Sequence, residues 1–239
     1  MTTNEPDFES EADLPAVEKL VETVFKDKMY LLTALTHRSY LNEHREAAQD
    51  HNERLEFLGD AVLELVTTDF LFKKYPEKPE GELTAIRAAL VNTTSLADAS
   101  TQLGVNEYLL MSKGEAKDTG RARQYILANV FEALIGAIYL DQNYEVAGEF
   151  IAKNLFPKTD AIVDQRLWQD PKSRFQELAQ ENANITPTYE TTGQEGPDHD
   201  RIFTVGIYLR HELIAEGQGR AKQEAEQAAA EKALEVKGW

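Results

Sequence analysis

Residues 52 to 65, NERLEFLGDAVLEL, ask one helix to carry a column of carboxylates. At helical spacing Glu53, Glu56 and Asp60 fall at i, i+3 and i+7 and stack along a single stripe. Leu55, Leu58, Val62 and Leu65 repeat on the far side while Phe57, Ala61 and Leu63 flank the acids, which predicts an apolar surround rather than a broad solvated face. Like charges one turn apart repel, and burial adds a desolvation cost for every uncompensated ion. A bound cation removes both penalties. Gly59 is the second oddity, because a mid-helix glycine costs roughly 1 kcal/mol against alanine. Another backbone passing close by accounts for it. The ordinary alternative pairs Glu53 with a Lys or Arg elsewhere and leaves Glu64 solvated, since charges on helices are mostly surface charges.

A second unusual helix favours the cation. Tyr125 to Leu140, YILANVFEALIGAIYL, is apolar all round, as a central helix is, and its only strongly polar residues, Asn129 and Glu132, share one face. A buried amide and carboxylate need partners. The economical partner is the Glu56/Asp60 stripe with a divalent cation between. Oxygen ligands without histidine favour Mg²⁺, with Mn²⁺ able to substitute, over zinc. His37, His44 and His51 lack helical spacing to the acids and read as ordinary polar residues. A hard cation on carboxylates, keeping part of its water shell, is the arrangement used for phosphoryl transfer, where it produces a hydroxide nucleophile and neutralises the leaving oxygen.

The 239 residues suffice for one large domain or two modest ones, and the absence of cysteine excludes disulfides and thiolate metal sites. No apolar run reaches membrane-span length and the N-terminus is acidic, so the chain reads as soluble and cytoplasmic, with no membrane partner. A net charge of −17 opposes broad attraction to polyanions. Residues 1–13 carry five acids and no base, the composition of a disordered tail. Helices are predicted over Leu14 to Val24, Leu31 to Leu41, Asn52 to about Lys74, Glu80 to Val91, Ser95 to Leu103, and Asp141 to Leu155, with Pro76 and Pro79 ending the acidic one. Glu80 lies near a helix N-terminus, where the macrodipole favours an anion. Ser112 to Arg123 reads as a flexible basic loop whose Lys113, Lys117, Arg121 and Arg123 suit phosphates.

Four blocks, Asn52 to Asp60 (NERLEFLGD), Thr36 to Tyr40 (THRSY), Glu80 to Leu83 (EGEL) and Phe131 to Ala137 (FEALIGA), resemble the signature segments of bacterial ribonuclease III endonucleases, in the same order. The resemblance implies an all-α catalytic domain over 14–156 that dimerises, each subunit's site cutting one strand of double-stranded RNA during processing of ribosomal and other structured precursors. It further implies Glu56, Asp60 and Glu132 as metal ligands, position 129 as a ligand that is normally aspartate, Glu53 and Glu80 as supporting acids, and Gly59 as a contact to the partner subunit. The chain departs from the pattern at Asn129, whose amide oxygen can ligate but brings no charge. A binding protein that has lost catalysis is therefore the alternative. A carboxylate-bridged iron protein lacks the Glu-x-x-His pairs it would need.

After a linker over 157–169, Asp170 is set to cap a helix with Pro171 at its first position and Phe175, Leu178 and Ala179 inward. Strands at Thr186 to Thr192, Ile202 to Leu209 and Glu212 to Glu216 and a helix from about Arg220 to Val236 complete an α+β unit over 170–239. This α-β-β-β-α order, with Gly196-Pro197-Asp198-His199 and Gly219-Arg220-Ala221-Lys222, resembles double-stranded-RNA-binding domains, which read A-form shape. That implies Ser173, Gln176, Glu177 and Gln180 at 2′-hydroxyls, His199 in the next minor groove, and Arg220 and Lys222 on phosphates. Singly, Gln176 and Gln180 read equally as solvated helix residues and Gly196-Pro197 as a turn. From 170 to 239 the chain has 8 Lys or Arg against 13 Asp or Glu, a net of −5, so RNA binding is expected to be weak, local and salt-sensitive.

Overall fold

A computed structural model describes residues 13–47, 49–197 and 201–239, which divide into two compact units at Gln165/Arg166. Among them no helix is long and apolar enough to cross a membrane. Residues 1–12 of the acidic N-terminal region lie outside the described residues, whereas Asp13 is the cap of the first helix, its carboxylate accepting from the Ala16 N–H at 3.1 Å.

The first unit is helical: α1 (Leu14–Val21), α2 (Lys28–Leu35), α3 (Arg38–Glu43), α4 (Glu53–Lys74), α5 (Glu80–Leu90), α6 (Thr93–Leu103), α7 (Lys113–Lys117), α8 (Arg121–Asp141), α9 (Tyr144–Leu155) and α10 (Thr159–Asp164). Its core forms around α8, where Val130, Phe131, Ala133, Leu134, Ile135, Ala137 and Ile138 are fully buried.

Several boundaries differ from the sequence reading for identifiable reasons. The helix expected over Leu31 to Leu41 is two, because Thr36 pairs with Leu110, the His37 N–H donates to Leu110 O at 2.8 Å, and Thr36 O accepts from the Asn52 N–H at 3.0 Å. Helix α1 stops at Val21, and Val24 is left 75% exposed. Ser112 to Arg123 is no continuous loop: Ser112 caps α7 and Arg121 already begins α8. Asp141 ends α8 by accepting from the backbone N–H groups of Lys26 (2.9 Å) and Asp27 (2.8 Å), and Asn143 caps α9 separately. Half of the expected 157–169 linker is also folded. Ile162 and Thr159 of α10 are buried, Asp160 meets Lys74 Nζ at 2.5 Å and the Tyr75 hydroxyl at 3.1 Å, and Phe156 stacks on Phe70 at 3.7 Å between centroids. Its anchors, Phe70 and Lys74 of α4 and Tyr75 just after it, are distant in sequence, and local patterning does not reveal them.

The buried face of α4 is Leu55, Gly59, Val62, Leu63, Val66, Thr67 and Leu71, so Leu65 (59% exposed) and Phe57 (80% exposed) point away from the core, contrary to the expected apolar surround. Burial there follows the contact with α8. A methyl group placed on Gly59 would lie 1.8 Å from the Glu132 carbonyl oxygen, and one on Gly136 would lie 2.3 Å from the Leu55 carbonyl oxygen. The two backbones touch at a pair of glycines within one chain. This corrects the attribution of Gly59 to a partner-subunit contact.

The second unit runs α11 (Pro171–Ala183), β1 (Thr188–Glu195), β2 (Ile202–Leu209), β3 (Glu212–Gly219) and α12 (Lys222–Lys237), with the strands antiparallel in the order β1-β2-β3. Asp170 caps α11 by accepting from the Ser173 N–H at 3.0 Å. Phe175 and Ala179 of α11, Ile207 and Leu209 of β2, and Ala229, Ala230 and Ala233 of α12 form the core. The alanines let α12 lie so close that methyl groups on Gly217 and Gly219 would meet the Ala229 and Ala225 backbone nitrogens at 2.1 and 2.6 Å. Those glycines extend β3 past the expected end at Glu216 to Gly219.

Gly59→Ala is expected to destabilise the protein by roughly 1–3 kcal/mol through overpacking. Gly148→Ala in α9, whose methyl meets nothing nearer than Val66 at 4.0 Å, should be neutral or stabilising by up to about 1 kcal/mol. Urea denaturation of both variants checks the contrast.

Candidate active site

The glycine contact between α4 and α8 decides which side chains meet. Asp60 follows Gly59, Glu132 supplies the carbonyl that Gly59 abuts, and Glu56 and Asn129 lie one turn away on their respective helices. Asn129 hydrogen-bonds the Glu56 side chain, which partly offsets burial and the charges of Glu53 and Asp60; the Glu56 pKa is nonetheless raised. Glu132 is pushed up to about 7 by burial first, then by Asp60, Glu56 and Glu64. Glu56, Asn129 and Glu132 are half-buried, and Asp60 is exposed.

The flanking acids differ. Glu53, at the start of α4, faces Arg38 at 3.6 Å and His51 at 3.7 Å, the pairing that the ordinary reading assigned to it. Glu64, expected to be solvated, is held by Arg87 of α5, Nε to Oε2 at 2.8 Å. Glu80 at the start of α5 is exposed and accepts from the Thr84 hydroxyl at 3.0 Å; it is not among the charges acting on Glu56 or Glu132. Among the described residues no ion pair includes Glu56, Asp60 or Glu132, and no three His, Asp or Glu side chains stand close enough together to enclose an ion. The donor set still suits a hard divalent cation. It is all oxygen, it is anionic, and among the described residues it has no competing ion pair at its centre.

The comparisons with known proteins agree with this architecture. A family model described as Ribonuclease-III-like matches residues 27–159, and a double-stranded RNA binding motif matches 171–237. Ribonuclease 3 of Carboxydothermus hydrogenoformans is 44% identical over 94% of this chain and 95% of its own. The chain belongs to the ribonuclease III family. Ribonuclease 3 of Enterococcus faecalis is 46% identical over 88% of this chain and 91% of its own. Among solved structures, the nuclease domain of ribonuclease III from Campylobacter jejuni superposes with a TM-score of 0.54 at 41% identity, covering 61% of this chain and 99% of that one.

In this ribonuclease III chain the second unit presents Ser173, Gln176, Glu177 and Gln180 on one exposed face of α11, opposite Phe175 and Ala179. Ser173 also donates through its hydroxyl to Asp170 at 3.2 Å, and Gln180 hydrogen-bonds Asn184. Arg220 and Lys222 are exposed at the start of α12, a helix whose N-cap, Ala221, provides no side-chain acceptor for the first N–H groups. His199 lies outside the described residues. In the basic segment, Lys113, Lys117 and Arg121 are exposed, but Arg123 turns inward to Asn106 Oδ1 at 3.0 and 2.6 Å and is a packing residue. The sequence reading left Glu64 solvated and did not single out Arg87, which reaches it from another helix and leaves no local signal.

The raised Glu132 pKa sets a pH dependence. A carboxyl whose folded pKa exceeds its unfolded value contributes stability that is complete below the unfolded pKa and is lost as pH rises through the folded one. In EDTA, the melting temperature is therefore expected to fall between pH 5 and about 7.5, and Glu132→Gln to flatten that slope. Thermal melts of both proteins across this range provide the check.

Proposed function

We propose that the protein is a divalent-metal-dependent endonuclease specific for double-stranded RNA, acting as a cytoplasmic homodimer on ribosomal and other structured RNA precursors, with Mg²⁺ as its metal and Mn²⁺ as a substitute. The observation that carries this reading is that Glu56, Asp60 and Glu132 act on one another's charge across the glycine contact, with no ion pair to any of them among the described residues, in a chain whose two units match a nuclease and an RNA-binding family. Glu56, Asp60 and Glu132 would hold the cation, with the Asn129 amide oxygen as a neutral donor and Glu53 and Glu80 as outlying acids. A divalent cation bound there supplies an activated water and neutralises charge on the leaving oxygen. The protein's own part is to orient the acids. The Asn129 amide steadies Glu56, and burial keeps the Glu132 carboxyl in a medium where its charge acts strongly.

Self-association is supported by Phe57, 80% exposed beside a groove of about 700 Å³ that Met29, Tyr30, Leu55, Leu58 and Leu140 line. The Campylobacter jejuni nuclease domain is itself described as having a region involved in dimer formation. On the second unit the α11 face would read 2′-hydroxyls, while Arg220, Lys222 and the open N–H groups of α12 would take phosphates.

Cleavage of long double-stranded RNA under Mg²⁺ titration tests the reading. Glu132→Gln is expected to lower the rate by roughly 100-fold or more, the scale of losing one preorganised electrostatic contact, while RNA binding by gel shift is unchanged. Asn129→Asp should cleave at lower Mg²⁺ than the natural sequence. Absence of cleavage by the natural sequence at every Mg²⁺ concentration would contradict the proposal.

A further inference from the structure

The acidic column on α4 does not stop at Asp60. Glu64 stands one turn further along the same stripe, and its charge reaches Glu132 together with those of Asp60 and Glu56. A small octahedral cation that keeps several waters needs only one or two carboxylates, so this stripe offers it more acids than it can use.

Each end of the stripe is closed by a guanidinium. Arg38 stands beside Glu53 at one end, with the His51 ring also 3.7 Å from that carboxylate. At the other end Arg87 places Nε 2.8 Å from Glu64 Oε2 and donates through a terminal nitrogen to the Thr68 hydroxyl at 2.7 Å, while that hydroxyl donates to the Glu64 carbonyl oxygen at 2.6 Å. The guanidinium is a permanently charged, planar fork, and here both of its contacts are partners on α4, one turn apart. Arg87 and Glu64 are each about two-thirds covered, 32% and 38% exposed at the side chain. The pair is therefore less screened than a fully solvated one. Arg87 comes from α5, so the contact also fixes that helix against the helix bearing the acids.

We propose that Arg87 is a positioning residue that withholds Glu64 from the metal site, so that a bound cation is shared by Glu56, Asp60 and Glu132 instead of being drawn one turn down the stripe. This rests on the metal-site reading above. Without the guanidinium, Glu64 becomes a free carboxylate at ligand spacing from Asp60. Metal affinity is then kept or increased while the cation sits away from its productive position.

The test uses the full chain as Arg87→Met, Glu64→Gln and the double variant. Two readouts are taken: the Mg²⁺-induced rise in melting temperature, and kcat for cleavage of long double-stranded RNA at saturating Mg²⁺. Arg87→Met is expected to half-saturate at equal or lower Mg²⁺ in the melting assay and to lose roughly tenfold or more in kcat, the scale of disturbing the groups that surround a metal site. Adding Glu64→Gln is expected to restore most of that rate. A tether that merely holds α5 in place would lower the EDTA melting temperature and kcat together without rescue by Glu64→Gln, and that result overturns the inference. Should Arg87→Met fail to fold, Arg87→Lys keeps the charge without the fork, and its smaller kcat loss must again be repaired by Glu64→Gln or the inference is wrong. A wild-type protein with no Mg²⁺-induced rise removes the metal-site reading and this inference with it. A wild-type rise with unchanged kcat in Arg87→Met overturns the inference alone.

Discussion

The contact on which the nuclease unit depends is a backbone touching a backbone. Gly59 and Gly136 are the positions at which α4 and α8 come within a methyl radius of each other, each glycine abutting a carbonyl oxygen of the opposite helix. Helices ordinarily pack through side chains at interaxial distances of about 8–10 Å, and a pair of glycines permits a closer approach. Short carboxylates on the two helices can then share one locus. The central position of α8 and the helix-weakening cost of two glycines follow from that geometry.

Bringing acids together is unfavourable unless something compensates. The protein compensates at the edges of the column and leaves the middle open: Glu53 has Arg38 and His51, Glu64 has Arg87, and Glu56 has the neutral amide of Asn129. Glu132 carries the residual conflict, with its pKa raised to about 7 by burial and by its neighbours' charges. A proton and a bound divalent cation would relieve the same repulsion and would therefore compete for the same place. Asn129 fits this account, because an aspartate there would add one more like charge where the amide supplies a hydrogen bond instead.

Much of this was legible in the sequence wherever the signal was local. The acidic stripe, the apolar central helix with Asn129 and Glu132, and the Asp170 cap all rest on spacing within a single element. Gly59 was legible as a close approach but not as to its partner, since a glycine records that space is short and not what fills it. What stayed hidden were contacts between distant segments. Thr36 breaks a helix because Leu110 pairs with it, α10 folds because Lys74 and Tyr75 hold Asp160, and Arg123 turns from solvent toward Asn106. β3 runs past Glu216 through Gly217 and Gly219, because the closeness of α12 that requires glycine there is invisible in the strand itself.

The claim that the glycine contact assembles one cation site from two helices is tested most directly by anomalous diffraction from crystals of this protein soaked in Mn²⁺. The account predicts a single dominant peak per subunit bounded by the carboxylates of Glu56, Asp60 and Glu132, with Glu64 still on Arg87. A dominant peak elsewhere, or no peak between α4 and α8 while the soaked crystals retain RNA-cleaving protein, would contradict it.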